Sequence, residues 1–347
     1  MKNKRVLALF SGGLDSLISV FWMKKLGFEV IPIFFETPFF SRKKAIKIAL
    51  SNGLDLKVID LTAEHLKMLT SPVYGYGKHF NPCIDCHGLM FRTLKDYLDV
   101  YKADFVISGE VVNQRPMSQR YDSMNAVKKL STIGDLIVRP LCQKRLPDTL
   151  PIREGWVNKE DLLSIQGRSR SEQLQIANDF GLKNIPNSGG GCLLTDKGYT
   201  KRLKEIIDHD QLDLQNISFL KVGRHFRVHE KTKLIINRHN NELEYLHSVI
   251  SNETILKCQR VAGPIGILVS DLTTFEGGER GGCASVEDTL AHCVSKEIIS
   301  VAGSILLRYC PKASDEEIVS YGAQFHLTND ISCKRFTDEE IDKYRIN

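Results

Sequence analysis

A doubly wound α/β sheet of parallel strands followed by a smaller α+β domain is the fold this sequence predicts. Three observations carry the prediction. From Arg5 to about Asp208 apolar runs alternate with helical patterns, those runs are continuous, and beyond Asp208 the texture changes to short, alternating, basic segments. Continuous apolar runs suit parallel strands covered on both faces, whereas alternation suits antiparallel strands with one wet face. Domains are therefore expected over residues 1–208 and 209–347, with no internal repeat.

The elements follow in order. VLALF after Arg5 opens the sheet, the string SGGLDS turns the chain, and a helix is expected over residues 16–26. VIPIFF (30–35), LKVIDL (56–61), DFVIS (104–108) and LIVRPL (136–141) supply further strands, with helices over 42–51, 89–101 and 171–180 between and after them. In a sheet wound this way, ligands sit at the carboxyl ends of the strands. In the second domain FLKVGRHFRV and TKLIINR read as an antiparallel hairpin, apolar on one face and basic on the other. Helical patterns return over residues 286–310, and the tail after Lys312 is acidic and expected to carry no RNA.

Composition narrows the classes. With 347 residues, 42% hydrophobic and 26% charged, the chain reads as globular rather than disordered. No apolar run approaches the ~20 residues of a membrane span, and the opening MKNKRVLALF is too short in its apolar part for a signal peptide. A cytoplasmic protein without membrane association is expected. Nine scattered cysteines in a reducing compartment point to reactive thiols or metal ligands rather than a disulfide framework. A net charge of +5 leans mildly towards anionic partners, and a homodimer is compatible with the composition.

In SGGLDS, Gly12 and Gly13 allow a tight turn and a close approach to a ligand, while Ser11 and Ser16 bring hydroxyls to the start of a helix. Successive amides and the positive helix end form a nest for phosphate. Asp15 would repel a bare phosphate, so a functional loop needs Mg²⁺ between them. The loop lacks the lysine of a nucleoside-triphosphate hydrolase. The plain alternative is a glycine turn followed by a helix cap.

This string resembles the PP-loop of ATP pyrophosphatases, which cleave ATP between the α and β phosphates. Further strings are similar to the tRNA 4-thiouridine synthetase family: FFETPFFSRKKAIKIA, the C-x-x-M-x-R pattern from Cys86 through Met90 to Arg92, GEVVNQRPMSQ and VRPL. The resemblance covers most of residues 5–182 and implies ATP binding by Ser11, Gly12, Gly13, Asp15, Ser16, Gly109 and Gln114, with Arg115 and Gln119 contacting nucleotide or RNA. The end of the second strand, at Phe34 and Phe35, is expected to meet adenine, although paired phenylalanines in a buried strand more often form core. Two departures from the family pattern are expected: no RNA domain ahead of the loop and no rhodanese domain after it.

NPCIDC sets Cys83 and Cys86 at C-x-x-C spacing in a Gly/Pro-bounded loop, and NSGGGCLL sets Cys192 behind three glycines. Two thiols at that spacing can share one metal centre; packed inert cysteines and a zinc staple are the alternatives. The resemblance implies either a [4Fe-4S] cluster on Cys83, Cys86 and Cys192 with an open iron for sulfide, or a persulfide relay as in 2-thiouridine-forming enzymes with their NPC-x-x-C string. The cluster is preferred because three cysteines fall in these two loops. Asp85 reads as a loop residue before a ligand or proton acceptor, and His79 and His87 as structural. Cys142, Cys258, Cys283, Cys293, Cys310 and Cys333 read as small core residues.

Lys221, Arg224, Arg227, Lys231, Lys233 and Arg238 crowd one stretch against the single acidic Glu230. Such a run suits phosphate contacts, and a solvated sheet face is the bland alternative. VGRHFRV with IINRHNNELEYL resembles the RNA-binding module of NFACT-type proteins over residues 215–310. Together the resemblances imply ATP-dependent thiolation of a tRNA uridine, with tRNA, ATP, Mg²⁺, a [4Fe-4S] cluster and a sulfur donor as partners. The competing readings are a non-catalytic, zinc-stapled RNA-binding protein and a PP-loop ligase or amidotransferase acting on a small molecule.

Overall fold

Strand β1 (Arg5–Leu9) is a run of apolar residues whose alternate members pack against opposite helical layers. Val6 and Ala8 join the core under α1 (Leu14–Lys25) and α2 (Arg42–Ser51), and Leu7 joins the core under α4 (Cys83–Tyr101). Burial on both faces explains why the strand reads as continuously apolar. In this computed structural model, residues 4–186, 191–270, 294–323 and 325–346 are described.

The chain divides into two compact units, Met1–Asp196 and Lys197–Asn347. In the first, β2 (Glu29–Glu36), β3 (Lys57–Asp60), β4 (Phe105–Ser108) and β5 (Ile137–Val138) join β1 in the order β3-β2-β1-β4-β5, every neighbouring pair parallel. Helices α3 (Thr62–Thr70), α5 (Tyr121–Ser131), α6 (Leu150–Arg153) and α7 (Ser171–Asp179) complete it. The winding reverses between β1 and β4, with Leu9 paired to Ser108, so the loops leaving these two strands flank the crevice where such sheets bind ligands.

In the second unit, α8 (Lys197–Asp208), α9 (Leu214–Phe219), α10 (Asn240–Val249) and α11 (Lys296–Arg308) accompany a six-stranded sheet. Its strands are β6 (Arg224–His229), β7 (Thr232–Ile236), β8 (Thr254–Cys258), β9 (Ile265–Ser270), β10 (Glu316–Ala323) and β11 (Asn329–Lys334), in the antiparallel order β11-β10-β8-β9-β7-β6. The expected hairpin is present as β6 and β7, but the two-faced pattern is not. Every residue of β7 is buried, Leu234 and Ile236 in the core with α11 and Ile235 in the core with α9 and α10. Helix α8, read from the sequence as the end of the first domain, groups with the second unit, where its Glu205 pairs with β6 and β7. Part of the helical stretch expected over residues 286–310 lies outside the described residues, and α11 supplies the remainder.

Candidate active site

The SGGLDS loop is tied into the sheet where Phe10 N–H donates to the Ile33 carbonyl at 2.8 Å. Gly12 takes a φ of 69°, and a β-carbon there would lie 2.8 Å from Ala45 Cα, so α2 passes where only glycine fits. Gly13 N–H donates to Ser11 Oγ at 3.2 Å, and Ser16 Oγ–H donates to the Gly13 carbonyl at 2.9 Å. These hydroxyls shape the turn from within. Gly109, at the end of β4, approaches the same helix start: a β-carbon on it would collide with Ser16 N and stand 2.5 Å from the Asp15 carbonyl carbon.

Asp15 lies in the first turn of α1. Gln114 Nε2 donates to its Oδ2 at 2.5 Å, and Gln173 on α7 in turn donates to Gln114 Oε1 at 2.8 Å. Its Oδ1 is buried without a hydrogen-bond partner among the described residues. Burial pushes the carboxyl above the usual range, against the Gln114 hydrogen bond and the pull of Arg170 and Arg115. An orphaned buried carboxylate oxygen beside a nest of amides suits a divalent cation.

The C-x-x-C pair does not lie in a loop. Cys83 and Cys86 occupy the first turn of the nineteen-residue helix α4, with Pro82 at its N-cap. Spacing of three puts both thiols on one helix face beside the positive helix end. Asn81 Nδ2 donates to Cys83 Sγ at 3.0 Å, and Cys86 Sγ lies 3.5 Å from His65 Nε2. Burial pushes the Cys86 thiol well up, and Cys192 and Cys83 push it further. Burial likewise raises Cys192 to about 11, with Cys83 adding to it. Geometry links the three thiols: Cys83 and Cys86 share one helix turn, and His65 beside Cys86 packs on Phe39, whose carbonyl holds the residue after Cys192. Cys192 is held where Leu193 N–H donates to the Phe39 carbonyl at 3.0 Å; residues 187–190 of its glycine-rich string lie outside the described residues. Among the described residues, no three His, Cys, Asp or Glu groups lie at metal-holding distances.

Asp85 accepts from Val73 N–H at 2.6 Å and Tyr74 N–H at 3.1 Å, which makes it the anchor of the preceding loop. Phe35 is 2% exposed and its ring fills the core with Leu7, Ile33 and Leu89, so the ring expected to meet adenine is part of the core.

Sequence reasoning missed His65 and the partners of Glu110. His65, buried against Phe39, is lowered by burial to about 4 and is neutral; one histidine on a short amphipathic helix gave no signal. Glu110 is buried and joined to Arg139 Nε at 2.8 Å and His87 Nδ1 at 2.9 Å. Burial alone would raise this carboxyl, but Arg139 and His87 overcome it and hold it at about 2. Both strings, GEVVNQ and VRPL, were conspicuous; their meeting was not. Cys142, Cys258, Cys310 and Cys333 are buried as expected, and Cys283 and Cys293 lie outside the described residues.

In the second unit the basic run is broken up. Lys233 is 2% exposed, its Nζ 2.8 Å from Glu205, and burial brings its ammonium down to about 8 despite that partner. Arg227 pairs with the same carboxylate at 2.5 Å. These two are therefore internal counter-ions, not members of an exposed basic face. Arg238 pairs with Glu242 at 3.0 Å, Lys221 Nζ sits 5.9 Å from the Tyr245 ring centroid, and Lys231 lies in the turn between β6 and β7. Arg224 stacks over Tyr309 at 4.7 Å.

Comparison with known proteins adds two family matches. Residues 1–145 match the family described as "Thiamine biosynthesis protein (ThiI)", and residues 223–279 match "NFACT protein RNA binding domain". Among curated relatives, a tRNA-specific 2-thiouridylase MnmA of Petrotoga mobilis is 28% identical over 59% of this chain and 59% of its own length. One from Herminiimonas arsenicoxydans is 24% identical over 65% of this chain and 63% of its own. The chain thus spans about three fifths of the length of these relatives. Among solved structures, a 4-thiouridine synthetase–RNA complex with bound ATP aligns over 51% of each chain at 18% identity and a TM-score of 0.32. The chain is similar to PP-loop tRNA thiouridine synthetases over its α/β unit and to the NFACT RNA-binding domain over part of its antiparallel unit.

Proposed function

We propose that this chain thiolates a uridine of tRNA by activating a uracil carbonyl with ATP and exchanging its oxygen for sulfur. The observation that carries the reading is the loop after β4: Gln114 donates to Asp15 Oδ2, and Met117, three residues on, meets Gly77 beside Asn81, which donates to Cys83 Sγ. A cation-seeking carboxylate in a phosphate nest and the C-x-x-C thiols are therefore tied to one loop. Adenylation followed by sulfur transfer needs that pairing.

A uracil oxygen is a poor leaving group. When it bonds to the α-phosphate, pyrophosphate departs; when sulfur then bonds to the same carbon, the carbon–oxygen bond breaks and AMP leaves with the oxygen. The protein contributes positioning and charge neutralisation. The amides of Gly12 and Gly13 with the start of α1 hold the departing pyrophosphate, Ser11 and Ser16 fix the turn, and Gly109 lets β4 close on it. Gln114 orients Asp15, whose free Oδ1 fits Mg²⁺, and Arg115 and Arg170 offset phosphate charge. Cys83, Cys86 and Cys192 would hold a [4Fe-4S] cluster: three cysteines, with no fourth beside them among the described residues, suit a cluster that would supply a site for sulfide. The relatives named as 2-thiouridylases and the RNA-binding match in the second unit support tRNA as substrate.

Asp15→Asn should keep the parent's thermal melt and lose tRNA-dependent pyrophosphate release. Each of Cys83→Ala, Cys86→Ala and Cys192→Ala should lose bound iron and the thionucleoside together, read by metal analysis and mass spectrometry of digested tRNA. Full activity of Asp15→Asn overturns the reading. Colourless protein that thiolates from a persulfide donor replaces the cluster with a cysteine relay, and pyrophosphate release without a thionucleoside returns the chain to the ligase class.

A further inference from the structure

In the second unit five arginines line two clefts that share one aromatic ring, that of Tyr309 at the C-cap of α11. Two clefts share Arg224 and Tyr309 as a common wall. The larger, of about 410 Å³, adds Arg202 and Arg345, and the smaller, of about 320 Å³, adds Arg238 and Arg308. Among the described residues no Asp or Glu lines either cleft. Arg224 lies flat enough over Tyr309 to stand 4.7 Å from its centroid, and Arg345 Nη2 is 3.4 Å from the Tyr309 hydroxyl. Arg224 has no carboxylate partner among the described residues. Arg238, Arg308 and Arg345 do, in Glu242, Asp338 and Asp342, but these are pairs of partly exposed arginines, which bind weakly and yield to a phosphate.

We propose that these clefts form the site at which the second unit takes an unpaired stretch of RNA, successive phosphates lying on the arginines and one base stacking on Tyr309 and Arg224. The inference rests on the RNA-binding reading of this unit and locates it at Arg224 and Arg238 of the basic run together with Arg202, Arg308, Tyr309 and Arg345, which that run did not contain. Arginine fits phosphate in a bidentate fork, and an aromatic ring with a guanidinium beside it is a platform for any base. A base must leave its stack to reach such a ring, so loops and single-stranded ends are favoured over duplex. The adjoining pair of clefts gives room for neighbouring nucleotides.

The test uses the full chain, a fluorescent tRNA transcript, a short single-stranded oligoribonucleotide and a blunt RNA duplex, each titrated over a range of salt. The parent should prefer the unpaired RNAs. Arg224→Gln with Arg308→Gln should weaken binding and flatten the log K against log salt slope by roughly 0.7 to 0.9 for each phosphate no longer neutralised. Tyr309→Leu should weaken single-strand binding about 5- to 150-fold while leaving the slope unchanged. Lys257→Gln with Lys334→Gln, which removes two exposed charges away from the clefts, should leave binding as in the parent. The proposal is overturned, with the RNA reading intact, if the parent binds RNA and the cleft variants bind equally well, or if the control pair loses as much as the arginine pair. A parent that binds none of the RNAs overturns the proposal together with the RNA half of the proposed function, while ATP-dependent chemistry is read separately.

Discussion

Glu110 shows how one buried side chain links stability to the site. Its carboxylate is closed in by Arg139, His87 and the Ser108 hydroxyl, and it is held at about 2 against an ordinary 4.5. A carboxyl lowered on folding stabilises the native state above its unfolded pKa, and that contribution disappears as pH falls through the folded one. The window is therefore from about 4.5 down to about 2. Glu110→Gln should lower the free energy of unfolding by about 3–5 kcal/mol at neutral pH, because it leaves Arg139 buried and uncompensated. Denaturant titrations at a series of acid pH values should also show a shallower fall across that window. Equal stability of the variant and the parent at pH 7 would contradict the buried pairing. The sequence displayed Glu110 and Arg139 in separate motifs, but a pairing between β4 and β5 exits has no local signature. Lys233 taught the opposite lesson: its alternating neighbourhood looked solvated, and the carboxylate that neutralises it, Glu205, stands on another helix.

At the scale of elements, the close approach of the β4 exit to the start of α1 sets the geometry of the phosphate loop. Gly109→Ala drives a methyl group into Ser16 N and to 2.5 Å from the Asp15 carbonyl carbon, and both are backbone, which cannot swing away. Overpacking of this kind costs about 1–3 kcal/mol. ATP affinity measured by calorimetry should drop at least several-fold as the loop amides are displaced, and the melting temperature should fall with it; unchanged ATP affinity would show that the amides of this loop do not hold the phosphates. The strands of this unit were legible because burial on both faces leaves little room for polar residues. The start of α4 was not: its apolar periodicity begins at Leu89, while its first residues include Cys83, Asp85, Cys86 and His87, types of low helix propensity. Helices α3 and α5 are short and polar enough to pass for loops.

For the molecule as a whole, the phosphate nest and the arginine clefts lie on different compact units. A ligand that binds only the native state raises stability by about 2.7 kcal/mol at a hundredfold excess over its Kd. In scanning calorimetry Mg²⁺-ATP should therefore raise the melting of the first unit by about 5–10 °C, whereas single-stranded RNA should act on the second. A nucleotide effect on the second transition alone would place ATP on the wrong unit. The basic run lies on the unit that carries the clefts, and its Arg224 and Arg238 line them, yet Arg202, Arg308, Tyr309 and Arg345 come from remote stretches that only folding collects. Cys192 also reads differently at this scale. It stands four residues before the junction between Asp196 and Lys197, pinned to the Phe39 carbonyl through its neighbour Leu193. The thiol is thus set one short turn, Leu193–Thr195, ahead of the point where the chain passes from the first unit to the second.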